Sequence, residues 1–111
     1  MLSYETAAQL FEEIRQKALQ RTDEAFRGHY SRLLEEAAEY AKTRLAWSFM
    51  TPEERREDDS ARSVRHDAFM LRLSIVGRLL GIEALDEKLP DRKTRGDLAC
   101  YMALFLALEQ R

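Results

Sequence analysis

Only a few side chains in this sequence could carry chemistry. His29, the adjacent His66 and Asp67, and then Asp91 or Asp97 could ligate a divalent cation, because imidazole and carboxylate are common metal ligands. Glu36/Glu39, Glu54/Glu57 and Glu83/Asp86 are acid pairs at a three-residue spacing, which puts both members on one helix face. Cys100 is the single thiol. Arg44, Arg65 and Arg72 fall within or between apolar positions. A guanidinium in such a place needs a carboxylate partner, a route to solvent or a bound anion. Glu36 is the nearest candidate partner. With His66, these three arginines form the candidate ligand-binding set, an anion cleft.

The order of histidines and aspartates resembles the HD phosphohydrolases, an all-helical family in which such ligands hold a metal that activates water against a phosphate ester. The pattern departs from that family where His66-Asp67 runs into Ala68-Phe69-Met70-Leu71 and not into a small glycine-containing turn. If the last two long helices formed an antiparallel hairpin, His66 and Asp97 would also differ in level by ~15 Å. The pairs Glu54/Glu57 and Glu83/Asp86 resemble the ExxE and ExxD acids of nucleotide pyrophosphohydrolases of the MazG type. One helix would separate these pairs by ~35–40 Å, too far to share a cation. Glu36/Glu39 with Glu54/Glu57 would sit on neighbouring helices but ~12 Å out of level, unless the chain breaks near Asp58. Cys100 lies in an apolar run, where desolvation suppresses the thiolate. Glycine-rich phosphate loops and CxxC pairs are absent. The sequence therefore predicts no catalytic residue, no metal ligand and no cofactor. A metal-dependent phosphohydrolase or nucleotide pyrophosphohydrolase is the alternative.

Helices must position these groups. Ser3 to about Arg21 carries Ala7, Leu10, Phe11, Ile14, Ala18 and Leu19 on one face, with Ser3 as N-cap. A second helix runs from about Asp23 to Met50, capped by Thr22, with Phe26, Tyr30, Leu33, Ala37, Tyr40, Ala41 and Trp47 in one stripe. Thr51-Pro52-Glu53-Glu54 has the form of a capping box with proline in the first turn. The stretch Arg55 to Asp59 is charged throughout and is expected either to continue the helix or to form a short extra helix over 52–58. From Ala61 to Leu80 there are two stripes: Val64, Ala68, Leu71, Ile75 and Leu79, continued by Ile82, and beside it Phe69, Leu73, Val76 and Leu80. Such a helix should be central, with Gly81 as its C-cap. Glu83 to Lys93 reads as a loop with room for a short turn, and the last helix starts between Asp91 and Asp97 and ends near Glu109 after eleven apolar residues, Leu98 to Leu108. That run is too short for a membrane span, which needs ~20 residues.

The sequence thus predicts an all-α fold, an antiparallel four-helix bundle forming one domain over residues 1–111. Four glycines and two prolines are too few for the turns of a β-sandwich. Basic and acidic residues nearly cancel, 18 against 20, and acids interleave the Arg55–Arg65 cluster, so nucleic acid is not an expected partner. Fourteen of the basic residues are arginine, which suits bidentate pairing with carboxylate or phosphate. A last helix that is apolar all round implies a homodimer interface through Leu98, Tyr101, Met102, Phe105 and Leu106, shared with part of the third helix. The expected protein is a non-enzymatic interaction module that self-associates and binds a protein or small ligand. One cysteine and no signal-like N-terminus predict a cytoplasmic setting with no membrane partner. Arg62, Arg65-His66-Asp67-Ala68, the apolar helix after them and Pro90-Asp91-Arg92 resemble a family of small all-helical bacterial proteins of unassigned function. The resemblance covers the C-terminal half and implies a bacterial cytosolic protein, with no catalytic residues to carry over.

Overall fold

A computed structural model describes residues 1–82 and 85–110. The described chain is helical, with α1 (Tyr4–Leu19), α2 (Glu24–Ser48), α3 (Pro52–Leu80), the single turn α4 (Leu85–Lys88) and α5 (Arg92–Glu109). Local chemistry sets the boundaries. The Ser3 hydroxyl accepts the Thr6 N–H at 3.1 Å. Thr51 and Glu54 complete their reciprocal capping box ahead of Pro52. Gly81 closes α3 with φ 68°, a left-handed conformation that glycine adopts without Cβ strain.

One cap differs from expectation, and two open alternatives are resolved. Asp23, not Thr22, caps α2, because its carboxylate is held by Arg21 and reaches the Phe26 N–H. No separate helix forms over 52–58, since α3 runs unbroken through Asp58-Asp59-Ser60. Arg55 donates to the Trp47 carbonyl at 3.0 Å, and both Arg55 and Arg62 lie over the Trp47 ring, so the charged stretch has anchors on α2. The expected loop holds a helical turn, α4.

The helix directions also differ. Arg55 with Trp47, Arg65 with Thr43 and Arg72 with Glu36 run in opposite order, so α2 and α3 form an antiparallel hairpin. Leu2 with Asp97, Tyr4 with Tyr101, Phe11 with Phe105 and Arg15 with Glu109 ascend together, so α5 is parallel to α1. Alternating antiparallel order therefore fails at α5. The segment after Gly81 turns back along α3, packing Leu85 against Gly77, and α5 starts beside His66.

The core follows the α1 stripe (Ala7, Leu10, Phe11, Ile14), the Phe69/Leu73/Val76 stripe of α3, and Leu98, Ala99 and Met102 of α5 around α2. Because α5 starts only at the level of His66, the ends of α2 and α3 extend past it. No side chain between Arg44 and Arg65 is buried. This overhang is a two-helix arm without a core of its own.

Candidate functional site

Where the arm joins the body, α2, α3 and the first turn of α5 enclose a cleft of about 350 Å³. α2 contributes Tyr40, Arg44 and Trp47, spaced by four and three residues on one face. α3 contributes Arg62, Ser63 and His66, and α5 contributes Arg92 and Lys93. Among the described residues, four cationic side chains line the cleft and no carboxylate does.

His66 is 5% exposed. Its Nε2–H donates to the Arg92 carbonyl at 2.8 Å, which fixes the ring and directs the tautomer. The Tyr40 ring stands edge-on to it, with centroids 5.0 Å apart. The Nδ1 atom is buried with no hydrogen-bond partner, and its nearest acid, Asp67, is 3.9 Å away. Burial pushes the imidazole below its ordinary pKa, and the charges of Arg92 and Arg62 push the same way against Asp67 and the Arg92 carbonyl. Two other buried nitrogens are unpartnered, the Trp47 Nε1–H and the Arg62 Nε–H. Both are obligate donors.

Arg44 pairs with Asp97 at 2.8 Å and approaches the Cys100 sulfur at 3.7 Å. Asp97 also accepts the Leu2 N–H at 3.4 Å, so the pair ties the start of the chain to α5. Burial pushes the Cys100 thiol above its ordinary pKa, and Arg44 opposes this only in part. A protonated thiol is a poor nucleophile at neutral pH.

The expected cleft of three arginines is not what forms. Arg44 and His66 share this site. Arg65 is exposed, donates to the Thr43 hydroxyl at 2.8 Å, and lines a different groove with Glu39, Lys42, Ala46, Met50 and Asp58. Arg72 is held by Glu36 at 2.8 Å and donates to His29 Nδ1 at 2.6 Å. Glu36 is the partner that the apolar placement of Arg72 required. Sequence reasoning missed Tyr40, Trp47, Arg62, Ser63, Arg92 and Lys93. The spacings Tyr40-Arg44-Trp47 and Arg62-His66 were a readable signal. The return of the chain that adds Arg92 and Lys93 was not.

The metal readings fare differently from their sequence arguments. α5 is parallel to α3, so Asp97 is not ~15 Å out of level with His66. A methyl at the neighbouring Gly96 would lie 3.2 Å from His66 Nε2. Asp97 is nevertheless committed to Arg44, and His29 to Arg72. Among the described residues no three His, Cys, Asp or Glu side chains converge as a metal site. Glu83, one of the MazG-type acids, lies outside the described residues. The unbroken α3 keeps Glu54/Glu57 out of level with Glu36/Glu39.

The interface expected on α5 also changes. Leu98 and Met102 are fully buried within the chain itself, because α1, α2 and α3 all pack on α5. Tyr101, Phe105 and Leu106 are half-buried against the same core; Tyr101 and Phe105 meet Tyr4 edge-on, and Phe105 stacks on Phe11. Only the Leu104, Ala107 and Leu108 edge of α5 meets solvent. The larger uncovered apolar surface lies on α3. Its first stripe faces outward, with Val64 66%, Leu71 65% and Leu79 42% exposed and Ala68 and Ile75 half-buried between them.

No helix among the described residues is long and apolar enough to cross a membrane. No protein-family model, no curated protein and no solved structure matches the chain.

Proposed function

We propose that this chain is a non-enzymatic helical interaction module, a bundle of α1, α2, α3 and α5 that pairs with a second copy through the outer face of α3. The observation that carries the reading is the stripe Val64, Ala68, Leu71, Ile75 and Leu79. Its steps of four, three, four and four residues keep it on one helix face, and it extends over ~22 Å. A helix stripe of this kind is covered in most soluble proteins, because a long apolar patch left to water is an association site. A second copy is the fitting occupant, since one stripe laid on its twin makes a closed two-fold contact.

Covering Val64, Leu71 and Leu79 on two copies involves six large apolar side chains at ~1.5 kcal/mol each. That is of the order of the ~4–15 kcal/mol that association costs. The expected pairing is therefore moderate in strength, and protein or small-ligand binding at other surfaces can modulate it. The bacterial, cytoplasmic setting implied by the resemblance is part of the same proposal. Sedimentation equilibrium of the wild type and Leu71→Glu tests it. The wild type should show a mass twice 13.0 kDa at tens of micromolar, and the variant a monomer with unchanged helicity. A wild-type monomer throughout that range would contradict the reading.

A further inference from the structure

We propose that the cleft between Tyr40, Trp47, Arg62 and His66 is a binding site for a tetrahedral oxyanion, phosphate or a phosphomonoester. Among the described residues Arg44, Arg62, Arg92 and Lys93 line the cleft with no carboxylate beside them in the lining. Their acidic partners, Asp97, Asp59 and Asp67, lie outside the lining.

The Trp47 Nε1–H and the Arg62 Nε–H are both buried and unpaired, and each is an obligate donor. A buried donor left unpaired is costly, so native structures satisfy most of them. An acceptor-only ligand would satisfy both. A carboxylate offers two oxygens in a plane, whereas a phosphate group offers three or more in space. The second kind fits donors arriving from α2, α3 and α5.

The His66 Nε2–H is committed to the Arg92 carbonyl, which leaves the buried Nδ1 as the ring's unpartnered atom beside the cleft. A phosphomonoester changes charge near pH 6, close to the ordinary pKa of histidine. One proton can therefore be shared between phosphate and Nδ1. It sits either on the phosphate as a P–O–H donating to the bare nitrogen, or on the imidazolium donating to a dianion. The groups facing His66 are Tyr40 and Arg44 from α2, Arg62 and Asp67 from α3, and Arg92 and Lys93 from α5. Only Asp67 among them is acidic, and Arg92 engages it at 2.8 Å. In the free protein these surroundings disfavour the imidazolium, and a bound anion reverses this. Binding should take up a proton and weaken as pH rises from 6 to 8.

The occupancy of this site does not depend on the pairing of copies through α3. The test uses the full chain in phosphate-free buffer, titrated calorimetrically with inorganic phosphate, phenyl phosphate and acetate. Both phosphates should bind with uptake of a proton, read from the dependence of the heat on buffer ionisation, and acetate at least about tenfold more weakly. Tighter binding of phenyl phosphate assigns an organic phosphate, and equal binding assigns the phosphate group alone. Arg62→Gln and Lys93→Gln should each lose affinity, the first by at least about tenfold. Trp47→Phe separates ligation from structure. Without phosphate it should unfold no earlier than wild type, because it removes an unpaired donor, yet the phosphate-dependent rise in melting temperature should shrink or vanish. Either of two results would overturn the assignment. One is no heat and no thermal shift with up to ~10 mM of either phosphate, a bound weaker than typical ligand affinities. The other is binding that all three variants leave intact.

Discussion

Replacing Gly96 by alanine tests how α5 is seated. Gly96 is buried in α5 where that helix crosses α2 and α3. An added methyl would lie 3.0 Å from the Tyr40 hydroxyl oxygen, 3.1 Å from Tyr40 Cε2 and 3.2 Å from His66 Nε2. These distances are several tenths of an ångström short of comfortable contact. Neither neighbour can yield easily, since Tyr40 is 3% exposed and His66 is tied to the Arg92 carbonyl. Alanine favours a helix over glycine by ~1 kcal/mol. Overpacking a rigid site costs ~1–3 kcal/mol. The net effect is a destabilisation of ~1 kcal/mol, a fall in melting temperature of about 4 °C for a domain of this size. Gly28→Ala is the internal control, because nothing lies within 4 Å of a methyl there. That variant should gain ~0.5–1 kcal/mol from helix propensity alone. Thermal and urea unfolding followed by circular dichroism read both. If Gly96→Ala stabilises as much as Gly28→Ala, α5 does not sit on Tyr40 and His66 as described.

Two further outcomes follow from the polar groups. Arg72→Met should cost ~2 kcal/mol by urea unfolding, because it strands Glu36 at the edge of the core, and Glu36→Leu added to it should recover about half. Stability in phosphate-free buffer should fall as pH drops below about 6.5, because the unfolded chain protonates His66 before the folded chain does. The capping acids Asp23, Glu54 and Asp91 have carboxyls held below their ordinary values, so their losses begin only in more acid solution. His66→Gln should flatten the wild-type fall between pH 6.5 and 5.5, and an unchanged slope would refute the assignment.

The helices were legible because their signals are local. Apolar spacing, the Thr51-Pro52-Glu53-Glu54 box and Gly81 act over a few residues, and they marked α1, α2, α3 and α5 to within a turn. The buried-face requirement on Arg72 named Glu36 as its partner. Direction was not legible, because α5 turns parallel through a non-local event, the return of the chain along α3 with Leu85 seated on Gly77. That return makes the cleft, since it carries Arg92 and Lys93 to Trp47 and Arg62. Two apolar stripes on α3 could not be ranked from sequence either. The Phe69/Leu73/Val76 stripe, which carries the one aromatic of the two, took the core and left Val64, Leu71 and Leu79 outside. For the same reason the eleven-residue apolar run of α5 is mostly consumed within the chain.

Concentration-dependent methyl NMR tests most directly that the outer face of α3 is the surface this module offers. With Ile, Leu and Val methyls labelled, a dilution series from millimolar to micromolar protein should move the Val64, Leu71, Ile75 and Leu79 signals together. The Leu10, Leu33 and Leu98 signals, from the centre of the core, should stay in place. Movement of Leu104 and Leu108 with Val64 and Leu71 fixed would put association on α5, and no movement at all would contradict the account.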